Sequence, residues 1–256
     1  MSKRLDELRE KVALSCRILA NERLVEGMLG HVSARVPGEC EMLIRCRSDE
    51  DYGVLFTKDS DVRRVDFDGQ GPDLEGRYEV PKELPIHSEI LKARPDVGCV
   101  IHAHPPATLV CGISKLDLRP IFGAFNIPAM RMALEGIPVF PRSVLVTRPD
   151  LAAQMMDAMG DKHVCLMKGH GITVTGATVE EATVRALNFE ALARVTLQAA
   201  QAGGEPEVIP PEDVEELPDL GRTFNERWVW RHYVRLLDED KASPRALESP
   251  AEVEDG

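Results

Sequence analysis

The sequence predicts an α/β fold organised on a mixed sheet. Short apolar runs rich in Val and Ile alternate with helical patterns as far as residue 237, without internal repeats. An amphipathic stretch opens the chain, and a long helical stretch from Thr178 to Ala202 follows the last pair of strands. The 256 residues are ample for a substantial core. One domain over residues 1–237 is expected, with 238–256 a polar, disordered tail.

The elements follow in order. Leu5, Leu8, Val12, Ser15, Cys16 and Leu19 fall at three- and four-residue steps and give a first helix ending near Glu26-Gly27. His31 to Val36 and Met42 to Cys46 read as strands, and Asp66-Phe67-Asp68-Gly69 as a hairpin turn. Leu84 to Ala93 is a helix with Ile86, Ile90 and Leu91 apolar, stopped by Arg94-Pro95. Val97 to His104 is a strand closed by Pro105-Pro106. Val164 to Met167 and Gly171 to Val174 are strands flanking the loop Lys168-Gly169-His170. The helix from Thr178 to Ala202 ends at Gly203-Gly204. Residues 205–220 are rich in proline and acids and read as a loop, and Trp228, Trp230, Tyr233 and Leu236 mark a late amphipathic helix.

Composition narrows the function classes. The chain is 43% hydrophobic and 29% charged, with a formal net charge of −12. That acidity disfavours nucleic acid and anionic membranes as partners, but leaves room for a small anionic substrate in a locally positive pocket. The six cysteines form no C-x-x-C pair, and Cys16, Cys99, Cys111 and Cys165 have apolar neighbours, as buried thiols do. Residues 1–10 are charged and lack a signal-peptide core, and no run of 18 apolar residues exists. A cytoplasmic setting is expected.

The strongest chemical signal is Val100-Ile101-His102-Ala103-His104-Pro105-Pro106. Side chains alternate along a strand, so His102 and His104 project from one face at a spacing that suits a single metal ion, while Ile101 and Ala103 point into packing. Two surface histidines would be the bland alternative. A third ligand is best supplied by His170 in Lys168-Gly169-His170-Gly171, where glycines on both sides let the backbone turn tightly. Taken alone, His170 reads equally as a satisfied loop histidine. Glu83 follows Pro81-Lys82 at a helix start, four residues before His87. It is either a carboxylate favoured by the helix dipole or one that alternates between metal ligation and proton transfer.

Four segments together carry a resemblance: GHVSARVPG (30–38), VRRVDFDG (62–69), ELPIHSEILKARPDVGCVIHAHPPA (83–107) and LMKGHGITVTGATVEEA (166–182). In this order and spacing the chain resembles the class II aldolase and adducin family over about residues 10–237. The resemblance implies a three-layer α/β/α sandwich around a mixed, mainly antiparallel sheet. It implies one divalent metal ion per subunit held by His102, His104 and His170, with Glu83 as resting ligand and acid/base. It also implies a homotetramer with active sites between subunits.

The departures from that pattern point to the substrate. Sugar-phosphate aldolases of this family read G-N-x-S where this chain has Gly30-His31-Val32-Ser33. They carry a Thr-Pro-x-Gly-like turn where it has Phe56-Thr57-Lys58-Asp59, and two serines where it has Pro81-Lys82. With the phosphate cradle altered, His31 and Lys82 are expected as cationic partners of a carboxylate, together with Ser33. A His at the Asn position resembles the branch that decarboxylates hydroxylated aromatic or pyridine carboxylates. The expected activity is therefore a metal-dependent carbon–carbon lyase, a decarboxylase, with Glu83 and His31 as its catalytic groups. An aldolase, epimerase or dehydratase acting on a sugar or hydroxyacid is the alternative reading, and a non-catalytic adducin-like interaction domain is the contrasting class. Three imidazoles and a carboxylate suit Mn, Zn, Fe or Co. The aromatic C-terminal segment, Tyr233 included, is expected to close the pocket, over a neighbouring subunit.

Overall fold

A computed structural model of the chain describes residues 2–221 and 224–239. Seven strands form one sheet in the order β3-β2-β1-β4-β7-β6-β5. They are β1 (His31–Arg35), β2 (Glu41–Arg45), β3 (Val62–Asp66), β4 (Cys99–Ala103), β5 (Val139–Phe140), β6 (Val164–Met167) and β7 (Gly171–Gly176). Every pairing is antiparallel except β5 with β6, so the sheet is mixed and mainly antiparallel, as expected.

Helices cover both faces, which gives the three layers. The helices are α1 (Ser2–Asn21), α2 (Leu84–Ala93), α3 (Pro106–Ser114), α4 (Ile127–Leu134), α5 (Pro149–Met159), α6 (Val179–Gln201), α7 (Pro211–Glu216) and α8 (Trp230–Glu239). On one side α1, α3, α4, α6 and α8 enclose a core that includes Val32, Ala34, Ile101, Ala103, Ile172 and Val174. On the other side α2 and α5 cover Met42, Ile44 and Val100 with Ile86, Ile90 and Met155. The period-two alternation of β1, β2, β4 and β7 divides their residues between the two cores. It also sends His31, Ser33, His102 and Thr173 to the α2/α5 side.

Several elements are absent from the sequence reading. Strand β3 was hidden because Arg63 and Arg64 interrupt its apolar run, and the turn at 66–69 returns to no hairpin partner. Segment 106–163 contains α3, α4, β5 and α5. Each of its three helices carries proline at its start, where the missing N–H costs nothing. The loop expected at 205–220 contains the short helix α7, again entered through proline. The late helix is entered by a π-helical turn at Phe224–Val229 and runs to Glu239, so residues 238 and 239 belong to it. The rest of the expected tail lies outside the described residues. Cys16, Cys99, Cys111 and Cys165 are buried free thiols, as their neighbours suggested. No described helix is long and apolar enough to cross a membrane.

Candidate metal centre

Three loops and one strand converge at the α2/α5 end of the central strands. His102 comes from β4, fully buried and directly across from His31 on β1 and Thr173 on β7. His104 lies just past β4, its amide donating to Leu24 O at 3.0 Å. The backbone then enters α3 through Pro105, a cap that offers no side-chain acceptor. The carboxylate of Glu190 on α6 takes that part, accepting from the amides of Ala107 and Thr108 at 2.9 Å each and from Thr108 Oγ1 at 2.7 Å.

His170 sits in the β6–β7 turn, where Gly169 takes a positive φ of 65°. The glycine that follows is required by close approach, since a Cβ on Gly171 would stand 2.2 Å from Ala103 O and 2.8 Å from His104 Cδ2. Glu83 occupies the N-cap position of α2 but does not cap it. Instead Oε1 accepts from the Val146 amide at 2.8 Å, and Oε2 lies 3.4 Å from His102 Nε2 and 3.5 Å from His170 Nε2.

The donor atoms of Glu83, His102, His104 and His170 all lie within 4.8 Å of one another. Their chemistry fits a divalent cation. Ile172 O can only accept, so the 3.0 Å contact to His102 Nδ1 puts the ring proton there and leaves a lone pair on Nε2. That Nε2 stands 2.8 Å from His104 Nε2. Both His170 nitrogens are buried, with no hydrogen-bond partner among the described residues. Donors about 2.1 Å from a common centre are separated by roughly 3.0–3.4 Å at octahedral to tetrahedral angles, and three of the pairs stand at 2.8, 3.4 and 3.5 Å. Burial opposes charge on Glu83, yet the His102 and His170 rings outweigh it and hold the carboxyl well below the usual carboxylate range. Burial, and then the neighbouring rings, push His104 down to about 4. The set is one carboxylate with three imidazoles.

Beside this cluster stands a second group of rings. His31 Nδ1 lies 2.7 Å from His87 Nε2, and His87 Nδ1 lies 2.7 Å from Ser33 Oγ. His87 was passed over in the sequence, although its place four residues after Glu83 on one helix face was the available signal. The structure corrects the expectation that His31 is cationic. Burial, followed by the His87 and His102 rings, pushes it well below 6.5, so the ring is neutral near pH 7.

The remaining expected site residues are dispersed. Ser33 is fully buried against His87, and Lys82 is exposed at the segment leading into Glu83. Tyr233, half-buried on α8, packs on the α1/α6 core on the far side of the sheet from His102. The Thr57 hydroxyl is taken up, donating to Val54 O at 2.7 Å and accepting from Arg45 Nε at 3.0 Å.

One further cation escaped the sequence reading. Arg47 is half-buried, donates from Nη2 to Met28 O at 2.8 Å, and pairs its backbone with Glu79 at 2.9 and 2.8 Å. It therefore joins the segments that lead to His31 and to Glu83, and it makes no ion pair among the described residues.

The family model described as "Class II Aldolase and Adducin N-terminal domain" matches residues 10–197. The chain belongs to the class II aldolase and adducin family. It is 48% identical to a 3,4-dihydroxyphthalate decarboxylase of Arthrobacter keyseri over 227 residues, 88% of this chain and 91% of that protein. It is 44% identical to the protein of the same name from Rhodococcus jostii (strain RHA1), over 90% of this chain and 96% of that one. The fold matches an aldolase II superfamily protein from Pseudomonas syringae with a TM-score of 0.76 at 24% identity, over 93% of this chain and 94% of that one. Within the family, the similarity falls on the decarboxylating lyases, the branch that His31 pointed to, rather than on the aldolases.

Proposed function

We propose that this protein is a divalent-metal-dependent decarboxylase of a dihydroxylated aromatic carboxylate, with 3,4-dihydroxyphthalate as its first candidate substrate. The observation that carries the reading is the convergence of Glu83, His102, His104 and His170 within 4.8 Å, one strand away from a neutral His31. The identity to decarboxylases over nearly the whole chain supports the same reading.

His102, His104, His170 and Glu83 would hold one ion, Mn, Zn, Fe or Co. When bound, it supplies Lewis-acid polarisation to a carboxylate and its ortho hydroxyl. The net reaction replaces a ring carboxylate by hydrogen. A proton reaches the ring carbon, the carbon–carboxylate bond breaks with its electron pair returning to the ring, and carbon dioxide leaves. Glu83 and His31 are the groups we assign to that proton, Glu83 alternating between ligation and transfer. A phthalate carries a second carboxylate, which must not be desolvated without a partner. Arg47 offers a guanidinium that makes no ion pair among the described residues, and exposed Lys82 a second cation at the segment that delivers Glu83.

We further propose a homotetramer in the cytoplasm with active sites at subunit boundaries. Exposed Leu29, Tyr52, Leu55 and Phe56 support a subunit contact near the segment that carries His31. In that assembly Tyr233 would face a neighbouring subunit's pocket. The test of function is carbon dioxide release from a panel of hydroxybenzoates, dihydroxyphthalates and pyridine dicarboxylates, alongside cleavage of a sugar phosphate. Release from a dihydroxyphthalate is expected. Aldol cleavage of the phosphate ester, with no carboxylate consumed, returns the protein to the aldolases.

A further inference from the structure

His87 is fully buried, yet both of its ring nitrogens are used at short range. Ser33 Oγ, His87 and His31 form a single file, with 2.7 Å between each pair of polar atoms. The file begins on β1 at Ser33, crosses to α2, and returns to β1 at His31. Strand alternation brings Ser33 and His31 to one face two residues apart, so one imidazole from the covering helix can bridge them. His31 Nδ1 is thereby occupied. Its Nε2 has no partner among the described residues, and His31 as a residue is 6% exposed.

We propose that Ser33 and His87 are positioning residues that fix the His31 ring, with Nε2 as the nitrogen left to meet the substrate. The inference rests on the decarboxylase reading and assigns Ser33 a place behind the site instead of against the substrate. The arrangement follows a general rule of acid–base sites, in which the group that handles the proton is held by a second that is oriented by a third. Because a hydroxyl can donate or accept, Ser33 is compatible with either neutral tautomer of His87 and therefore of His31. The His31 ring then stays in place whether Nε2 carries a proton or a lone pair. Solvent has no direct path to Ser33, which fits an anchoring part better than a relay.

The test uses the full chain loaded with zinc, which is diamagnetic, and the variants Ser33→Ala and His87→Gln. Imidazole nitrogens are observed by 15N NMR, zinc content is measured, and kinetics are followed on 3,4-dihydroxyphthalate. Zinc content should be unchanged in both variants, and the 15N shifts of His31 should move in both, although Ser33 does not touch His31. On the substrate, Ser33→Ala should lower kcat about 10-fold with KM within about 2-fold, because an orienting contact is lost and no substrate contact is. Unchanged His31 shifts in both variants overturn the proposal, as does a rise in KM alone for Ser33→Ala. If the parent protein turns over no aromatic carboxylate, the functional reading fails while the ring spectra still decide the Ser33–His87–His31 file.

Discussion

The Val146 amide donates to Glu83 Oε1 at 2.8 Å, which leaves Oε2 as the oxygen that faces His102 and His170. One carboxylate is thus divided between a structural and a chemical oxygen. Glu83→Gln can keep the Val146 contact through its carbonyl, while its NH2 group cannot ligate a cation. Metal content should persist on the three histidines, and kcat should fall by about 10²–10⁴-fold, the usual effect of removing an acid–base group. Metal analysis alongside steady-state kinetics checks this. Full activity in the variant would move the proton-handling role to His31.

Glu190 should matter to the metal site without touching it. Its three hydrogen bonds hold the start of α3, which begins two residues after His104. Glu190→Ala strands two buried amides and should destabilise the fold by roughly 2–4 kcal/mol. Metal affinity should weaken as well, because the His104 backbone is released. Thermal unfolding and metal titration together check this, and unchanged values in both would contradict the assigned contact.

Without metal, the protein should lose stability in acid. Burial pushes His87 from 6.5 down to about 3, and His31 is depressed in the same way. As pH falls from about 6.5 toward 3, the unfolded chain binds protons that the folded chain refuses, so folding stability drops; it is fully present above 6.5. Glu83, depressed by its ring neighbours, adds a loss of the same sign at lower pH. The chelated protein should therefore show a falling thermal midpoint from pH 7 to 4.5. A flat profile would be inconsistent with buried neutral rings.

The guanidinium of Arg47 should hold a substrate carboxylate. Arg47→Ala is expected to raise KM by about 10- to 100-fold with a smaller effect on kcat, if the contact acts equally on ground and transition states. A benzoate that lacks the second carboxylate should lose less on the same change. Equal loss on both substrates would make Arg47 a structural residue.

The legible parts of the molecule were those with a local signal. Strand alternation gave His102 and His104 one face, flanking glycines marked His170, and both readings needed only a few adjacent residues. The three layers followed from family resemblance and from strands interleaved with helices. What stayed hidden depends on contacts far along the chain. His87 meets Ser33 across 54 positions, Val146 meets Glu83 across 63, and Glu190 meets Thr108 across 82. The charge of His31 was also illegible, because it is set by burial among other rings and not by residue type. Arg47 went unnoticed for a similar reason: nearby Arg45 is locked to Asp51, and only the fold separates it from Arg47, which makes no ion pair among the described residues.

The central claim is that one ion held by His102, His104, His170 and Glu83 enables decarboxylation. Its most direct test is titration of chelated protein with manganese or zinc while carbon dioxide release from 3,4-dihydroxyphthalate is recorded. The rate should rise in proportion to bound metal and saturate at one ion per chain, and His102→Ala should abolish both binding and rate. Equal turnover by the metal-free protein, or saturation unaffected by loss of His102, would contradict the account.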